Sequence, residues 1–172
     1  MFVQIGRRQP PEGLVTLFLE CHGRIRAFTE IALRLGEQED VPPEEVVDAS
    51  ARCLRYFTEA LPLHIADEEE SLLPLLRGRE AAVDAALDLM HAQHEAHDPL
   101  LAELVDALRE RRGAPEATSA RARLATAARR AQPELLLHLE HEERVLFPAA
   151  RRLLTGAEEQ AVLTELRARR HR

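Results

Sequence analysis

Two short stretches of the sequence repeat the same arrangement of metal-ligating side chains. His64 is followed four residues later by Glu68, and His138 is followed four residues later by Glu142. In both stretches a second glutamate comes next, and a Leu-apolar-Pro sequence begins three residues further on. Residues four apart lie on one face of a helix, so each stretch presents an imidazole beside a carboxylate.

Both histidine–glutamate pairs are embedded in apolar helix faces. An ionised carboxylate in an apolar interior is very costly unless it is paired or binds a metal. Two such pairs can be explained together if they meet in the core and hold cations. Helical spacing places Phe57, Leu61, Leu72 and Leu75 on the face of His64, and Ala131, Leu135, Leu146 and Ala149 on the face of His138.

Length and composition predict one all-α domain. The chain has 172 residues, of which 45% are hydrophobic, 31% charged and only 3% aromatic, and long stretches are rich in the helix formers Ala, Leu, Glu and Arg. The net charge of −7 has both signs interspersed, and the one basic cluster, Arg167 to Arg172, is short. These features argue against a nucleic-acid partner.

The sequence also predicts no membrane span and a cytoplasmic location. No run of about 18 apolar residues occurs. The first residues, Met1 to Gly13, have no apolar secretory segment, and the two cysteines, Cys21 and Cys53, do not form a disulfide scaffold.

The positions of proline and glycine along the sequence predict four long helices and a short last helix. Pro62 should bend the second helix, Pro99 should distort the third, and Pro133 is a place where the fourth could break. Thr155 to Glu158 resembles a capping box for the last helix. The expected ranges are a lead-in over 1–11, helices over about 12–35, 43–76, 80–112 and 116–154, and a short helix to about Arg169.

The spacing of the histidines indicates an internal repeat. The stretch from His22 to Glu68 corresponds to the stretch from His94 to Glu142. Four helices with short connections should pack antiparallel, up-down-up-down. We therefore expect residues 12–172 to form one four-helix bundle. An approximate internal two-fold axis would relate its two halves and bring both His-Glu pairs to the centre.

This ordered set of residues resembles the hemerythrin-like family, also called the HHE cation-binding domain, over roughly residues 12–154. The resemblance implies a non-haem di-iron centre with two bridging carboxylates and a pair of histidines for each iron. The bridging residues would be Glu68 and Glu142, and the histidine pairs would be His22 with His64 and His94 with His138. An open position on one iron would take a small ligand.

The ligand types agree with this resemblance. Imidazole and carboxylate suit iron, manganese or zinc, whereas copper(I) prefers sulfur. We therefore expect two iron ions as the cofactor, with manganese or zinc as alternatives. Ferritin-like di-iron proteins use Glu-x-x-His, which has the reverse order and a different spacing.

The sequence does not decide which histidines of the third helix bind metal, because the three are spaced three residues apart rather than four. His94 best matches the spacing of the flanking pairs. His97 is either a fifth histidine ligand or lies just outside the site, and His91 is a candidate to support the ligands. Five further residues are expected to be solvated, salt-bridged or packed rather than metal-bound, or at most to support the ligands: Cys21, Tyr56, Glu69, His141 and Glu143.

Three functions fit a His/Glu dinuclear centre. The first is reversible binding or sensing of dioxygen or nitric oxide. The second is a redox enzyme acting on nitric oxide, peroxide or ferrous iron. The third is metal storage or a purely structural cation. A homodimer and an unknown electron donor are left open as partners.

Overall fold

Five helices make up the described part of the chain. The computed structural model describes residues 13–171, and these residues contain no β-strand. The all-α prediction is confirmed, whereas the predicted lead-in over 1–11 lies outside the described residues. The helices are α1, Leu14–Glu37; α2, residues 43–76; α3, Ala81–Gly113; α4, residues 118–153; and α5, Gly156–Arg169.

Helices α2 and α4 are interrupted by wider π-helical segments. These are Tyr56–Ala60 and Asp67–Leu72 in α2, and Glu142–Leu146 in α4. After each segment, the next residue donates its backbone N–H five residues back, and a proline follows it. Proline has no N–H and its ring would clash with the carbonyl four residues earlier, so a wide turn before it relieves the helix.

Two other prolines behave differently from the prediction. Pro99 lies inside the uninterrupted helix α3, and Pro133 lies inside the uninterrupted segment Thr118–His141 of α4. Both helices therefore continue through these prolines, and the break that Pro133 could have caused is not present. Both prolines are exposed, so a carbonyl left without its helical donor can bond to water instead.

The four long helices pack as a closed ring. Helix α1 contacts α4 and α2, and helix α3 contacts the same two helices from the other side. Gly36 lies where α1 and α4 come closest, because a Cβ atom there would fall 2.4 Å from the backbone nitrogen of Ala125. The alternating up-down direction of the helices stays a prediction.

The core consists of two apolar clusters with a polar layer between them. In each long helix, the predicted ligands lie between residues of one cluster and residues of the other. Helix α5 belongs to the second cluster through Val162 and Leu166. The first cluster includes Ile25, Phe57, Leu61, Leu104 and Leu135, and the second includes Phe18, Leu72, Met90 and Leu146.

Helix α5 begins with the predicted capping box. The Thr155 hydroxyl accepts the backbone N–H of Glu158, and the Glu158 carboxylate accepts the N–H of Thr155 at 2.7 Å. The Glu159 carboxylate accepts the N–H of Leu14 at 2.6 Å, which ties α5 to the start of α1. Across the described residues, no helix combines the length and apolar character needed to cross a membrane.

Candidate metal centre

Six of the predicted ligands meet in the polar layer. Their side chains come from all four long helices, and each is at most 6% exposed. Glu68 and Glu142 both lie within π segments, which widen the helix where these carboxylates turn inward. The six residues are His22 on α1, His64 and Glu68 on α2, His94 on α3, and His138 and Glu142 on α4.

Each carboxylate directs one oxygen towards each histidine pair. Glu68 Oε1 lies 3.1 Å from His64 Nε2, and Glu68 Oε2 lies 3.4 Å from His94 Nε2. Glu142 Oε2 lies 3.2 Å from His22 Nε2, and Glu142 Oε1 lies 3.4 Å from His138 Nε2. The side chains therefore form two groups of four possible ligands that share both glutamates.

Most of the polar atoms facing the centre lack hydrogen bonds. Among the described residues, both oxygens of Glu68 and of Glu142 are buried without a hydrogen-bond partner, as are Nε2 of His22 and both ring nitrogens of His64. A buried polar group without a partner costs free energy comparable to a lost hydrogen bond or more. Cations between the four carboxylate oxygens and the Nε2 atoms of His22 and His64 would satisfy these atoms together, whereas Nδ1 of His64 would stay without a partner.

Hydrogen bonds outside the centre orient three of the histidines. Nδ1 of His22 lies 2.8 Å from Glu143 Oε1, and Nδ1 of His94 lies 2.9 Å from Glu69 Oε1. An acceptor there selects the tautomer with hydrogen on Nδ1 and leaves the Nε2 lone pair facing inward, as in many metal-ligating histidines. Nδ1 of His138 makes a similar contact with Gln93 Oε1 at 3.1 Å.

Two inward-facing nitrogens are close enough to repel each other without a cation. Nε2 of His94 lies 3.1 Å from Nε2 of His138. With both Nδ1 atoms donating outward, two lone pairs would face each other at this distance. A metal ion or a proton between them removes that repulsion.

The electrostatics of the metal-free site show the same conflict. Burial lowers the pKa of His22, but contacts with Glu142 and Glu68 outweigh it and raise that pKa to about 9. The pKa of His94 is raised to about 9 by Glu68 and Glu69 against burial. Burial and the charge of Glu68 raise the pKa of Glu142 to about 8. Without metal, the centre therefore retains protons that metal binding would have to displace.

Two histidines of α3 are outside both ligand groups. His97 is buried and its ring centre lies 5.2 Å from that of His138, edge to face, but it is not among the converging ligand atoms. His91 is 53% exposed and contacts Glu69 rather than the centre. The ligand role predicted for His97 thus gains no support from the geometry, and the binding of metal by the other six stays a prediction.

Glu69 and Glu143 were expected to be solvated or salt-bridged, and both form ion pairs whose partners could not be deduced from spacing. Both reach across to a histidine of the other repeat, because they extend sideways from the π segments. Glu143 also pairs with Arg26 at 2.8 Å. Cys21 is a buried free thiol, as expected.

A buried ion pair beside the centre was missed. Asp67 is fully buried and pairs with Arg169 and Arg170, at the end of α5. Glu68, the next residue, points into the centre on the other side of the same π segment. The signal in the sequence was the basic cluster Arg167 to Arg172, which does not by itself indicate a buried partner.

Comparison with known proteins agrees with this centre. The family model of the hemerythrin HHE cation binding domain matches residues 13–122 and, in an overlapping match, residues 86–172. The chain therefore belongs to the hemerythrin HHE cation-binding domain family. The first match begins nine residues before His22 and the second eight residues before His94, in keeping with the internal repeat. No curated protein matches the chain.

Proposed function

We propose that the protein holds two iron ions in this centre and binds dioxygen or nitric oxide there. One observation carries the proposal: each of the two glutamates directs one oxygen to each histidine pair. That arrangement suits carboxylates that bridge two cations. A single ion would not need two glutamates that each direct one oxygen to each histidine pair.

The ligand chemistry fits iron. His22 and His64 would hold one ion, His94 and His138 the other, and the two glutamates would hold both. Imidazole nitrogen and carboxylate oxygen are ligands that iron shares with manganese and zinc. When bound, two ferrous ions would supply the electrons and the open coordination position for reversible binding of a diatomic gas.

The protein's own residues keep this site dry and fixed. Phe147 packs on the ring of His22 with 4.9 Å between ring centres, and Phe18 lies 5.9 Å from the ring of His64. Glu143 and Glu69 hold the imidazoles from outside. An apolar wall limits access of water and suits a neutral diatomic ligand.

We also infer that the four long helices alternate in direction. The connections over 38–42, 77–80 and 114–117 are too short for a crossover, and each long helix contacts its neighbours in sequence. Short connections favour antiparallel neighbours.

The test is metal content and a gas-dependent spectrum on one sample. The protein is purified without added metal, analysed for elements, then loaded anaerobically with ferrous iron and reduced. Two irons per chain and a visible absorption band that appears with dioxygen and disappears under argon are expected. The matched control is Leu137→Ala, which removes an exposed side chain on α4 and should change neither result.

Two results would count against the proposal. If iron-loaded protein showed no spectral change with dioxygen or nitric oxide, gas binding would fail while metal binding remained. If zinc or manganese bound more tightly than iron and gases had no effect on the spectrum or on thermal stability, the centre would be a structural or storage site instead.

A further inference from the structure

The segment of α2 that carries Glu68 is attached to the last turn of α5. Asp67, which precedes Glu68 in that π segment, is fully buried, and its two carboxylate oxygens pair with different arginines, Arg169 and Arg170. The guanidinium of Arg169 also pairs with Glu70 of the same segment at 3.0 Å. Two successive arginines therefore hold the π segment on both sides of Glu68 in the sequence.

Other contacts hold α5 in place without these arginines. Val162 and Leu166 of α5 belong to the second core cluster, as does Leu72 at the end of the π segment. At its start, α5 is tied to α1 by the hydrogen bond from the N–H of Leu14 to the carboxylate of Glu159. The two arginines therefore extend from a helix that is already docked on the core.

The carboxylate of Glu68 has no comparable support of its own. Both of its oxygens are buried, and neither accepts a hydrogen bond. Its position in the metal-free protein therefore depends on the backbone of the π segment, a rare and wider turn that is less regular than an α-helix. Because Asp67 is the adjacent residue, its ion pairs restrain the backbone from which Glu68 extends.

We propose that Asp67 is a positioning residue for Glu68: with Arg169 and Arg170 it fixes the π segment so that the Glu68 carboxylate faces both histidine pairs. This inference rests on the proposed metal-binding function. Metal binding and docking of the end of α5 then favour each other, because a coupling free energy between two sites acts equally in both directions. Release of this end of α5 weakens metal binding, and bound metal fastens it.

The first test uses substitutions that break the ion pairs with opposite changes of charge. Asp67→Asn removes a negative charge beside the centre, whereas Arg169→Gln/Arg170→Gln removes two positive charges. If charge alone acted, the first change would weaken cation binding and the second would strengthen it. Positioning predicts that both weaken the binding of Zn²⁺ about fivefold or more, the lower end of the usual coupling between two sites. Competition with a chromophoric zinc chelator measures the affinity of the full chain.

Two control variants separate positioning from loss of stability and from a general effect of charge. Leu104→Ala opens a cavity in the first cluster, which does not include α5, and should lower stability without changing the affinity for zinc. Arg129→Gln/Arg130→Gln removes two adjacent exposed arginines of α4 that pair with Glu37 and Glu103, and should leave the affinity unchanged. Circular dichroism checks that each variant folds.

The second test follows α5 directly. Hydrogen exchange of the backbone amides of α5 is measured by mass spectrometry on the natural sequence, with and without zinc. Bound zinc should slow exchange in the last turn of α5 about fivefold or more, because it favours the docked state of this turn. In Asp67→Asn, zinc should no longer change the exchange there. This comparison decides the matter even where the arginine double variant fails to fold.

The outcomes separate the positioning role from the proposed function. An unchanged zinc affinity in Asp67→Asn would overturn the positioning role and leave the metal centre intact. Opposite effects of Asp67→Asn and the arginine double variant would also overturn it, because charge alone would then account for both. Equal exchange in α5 with and without zinc would have the same meaning. A natural sequence that binds neither zinc nor iron would overturn the proposed metal centre as well.

Discussion

The two repeats of the chain agree at the centre and differ around it. Towards the centre, His64 with Glu68 and His138 with Glu142 have nearly the same geometry, with nitrogen–oxygen distances of 3.1 and 3.4 Å. Each lies at a π segment followed by an apolar residue and a proline. Both copies therefore place the same pair of residues at the centre in the same geometry.

The outer carboxylates of the two repeats have different partners. Glu143 is shared between His22 and Arg26, whose charge is permanent. Glu69 is shared between His94 and His91, an exposed imidazole that can itself bind a metal. One outer carboxylate therefore pairs with a fixed cation, and the other with an imidazole whose charge depends on its protonation.

The residue before each inner glutamate differs most. Asp67 is fully buried and fastens the end of α5 through Arg169 and Arg170. At the corresponding position of the second repeat, His141 is half-buried, and its Nε2 has no hydrogen-bond partner among the described residues. Among the described residues, this ion pair with α5 therefore occurs in one repeat and has no counterpart at His141 in the other. Asymmetry has been added outside a symmetric centre.

The largest effect is expected from replacing an inner glutamate, and this change tests whether each glutamate binds both ions. Glu68→Gln should abolish binding of both ions, because a neutral amide replaces a carboxylate shared by both groups. His22→Ala should remove one ion and leave the other. Metal content after dialysis measures both variants, and circular dichroism checks that they fold. Retention of one full equivalent by Glu68→Gln would show that the carboxylate belongs to one half only.

A second prediction concerns the stability of the metal-free protein against pH. The folded-state pKa values of His22 and His94 are raised to about 9, and that of Glu142 to about 8. A raised pKa contributes stability below the unfolded value, which is lost as the pH rises through the folded value. Between pH 6.5 and 9 the metal-free protein should therefore lose a few kcal/mol, because each tenfold difference in proton affinity between the folded and unfolded states corresponds to about 1.4 kcal/mol.

Metal should reverse this dependence. Ligands must lose protons to bind a cation, so affinity rises with pH and the loaded protein gains stability relative to the metal-free form. Urea unfolding at pH 6.5, 7.5 and 9, with and without metal, measures both. A metal-free protein whose stability stayed constant over this range would show that the folded state binds no more protons than the unfolded chain, so that the pKa values of these groups are not raised by folding.

The third prediction compares the residues preceding the two inner glutamates. Asp67→Asn removes a buried charge that pairs with two arginines, and the loss should be about 2 kcal/mol, because the arginines can turn partly to water. His141→Ala should change stability by less than about 0.5 kcal/mol. Urea unfolding of the metal-free proteins measures the difference. Equal effects would mean that α5 does not depend on Asp67.

Helical spacing placed each His-Glu pair on one helix face, but in α2 it failed beyond the second π segment. It placed Leu75 on the face of His64, whereas Leu76 is the buried residue, because the extra residue of a π segment rotates the helix that follows. The Leu-apolar-Pro endings were visible in both repeats, yet a proline alone does not reveal a π segment. Pro99 and Pro133 lie in regular helix.

Contacts between helices were the other part that spacing could not supply. The cross-repeat partners of Glu69 and Glu143 depend on how the helices are placed against each other, which periodicity along one helix does not describe. The pairing of Asp67 with Arg169 depends on where a separate helix docks. By contrast, the capping box at Thr155 is local in sequence and was predicted fully.

The last prediction concerns the outer carboxylates and tests whether each of them acts on one ion. Glu143→Gln should weaken the ion of the His22 half about 10- to 100-fold, the usual cost of losing such a partner of a ligating histidine. Glu69→Gln should weaken the ion of the His94 half by a similar factor. Because each glutamate contacts a different ligand, the two variants should alter different steps of a two-step binding isotherm measured by calorimetry. If both variants weakened the same step, the two histidine pairs would not be separate sites, and the independence of the two repeats outside the centre would be lost.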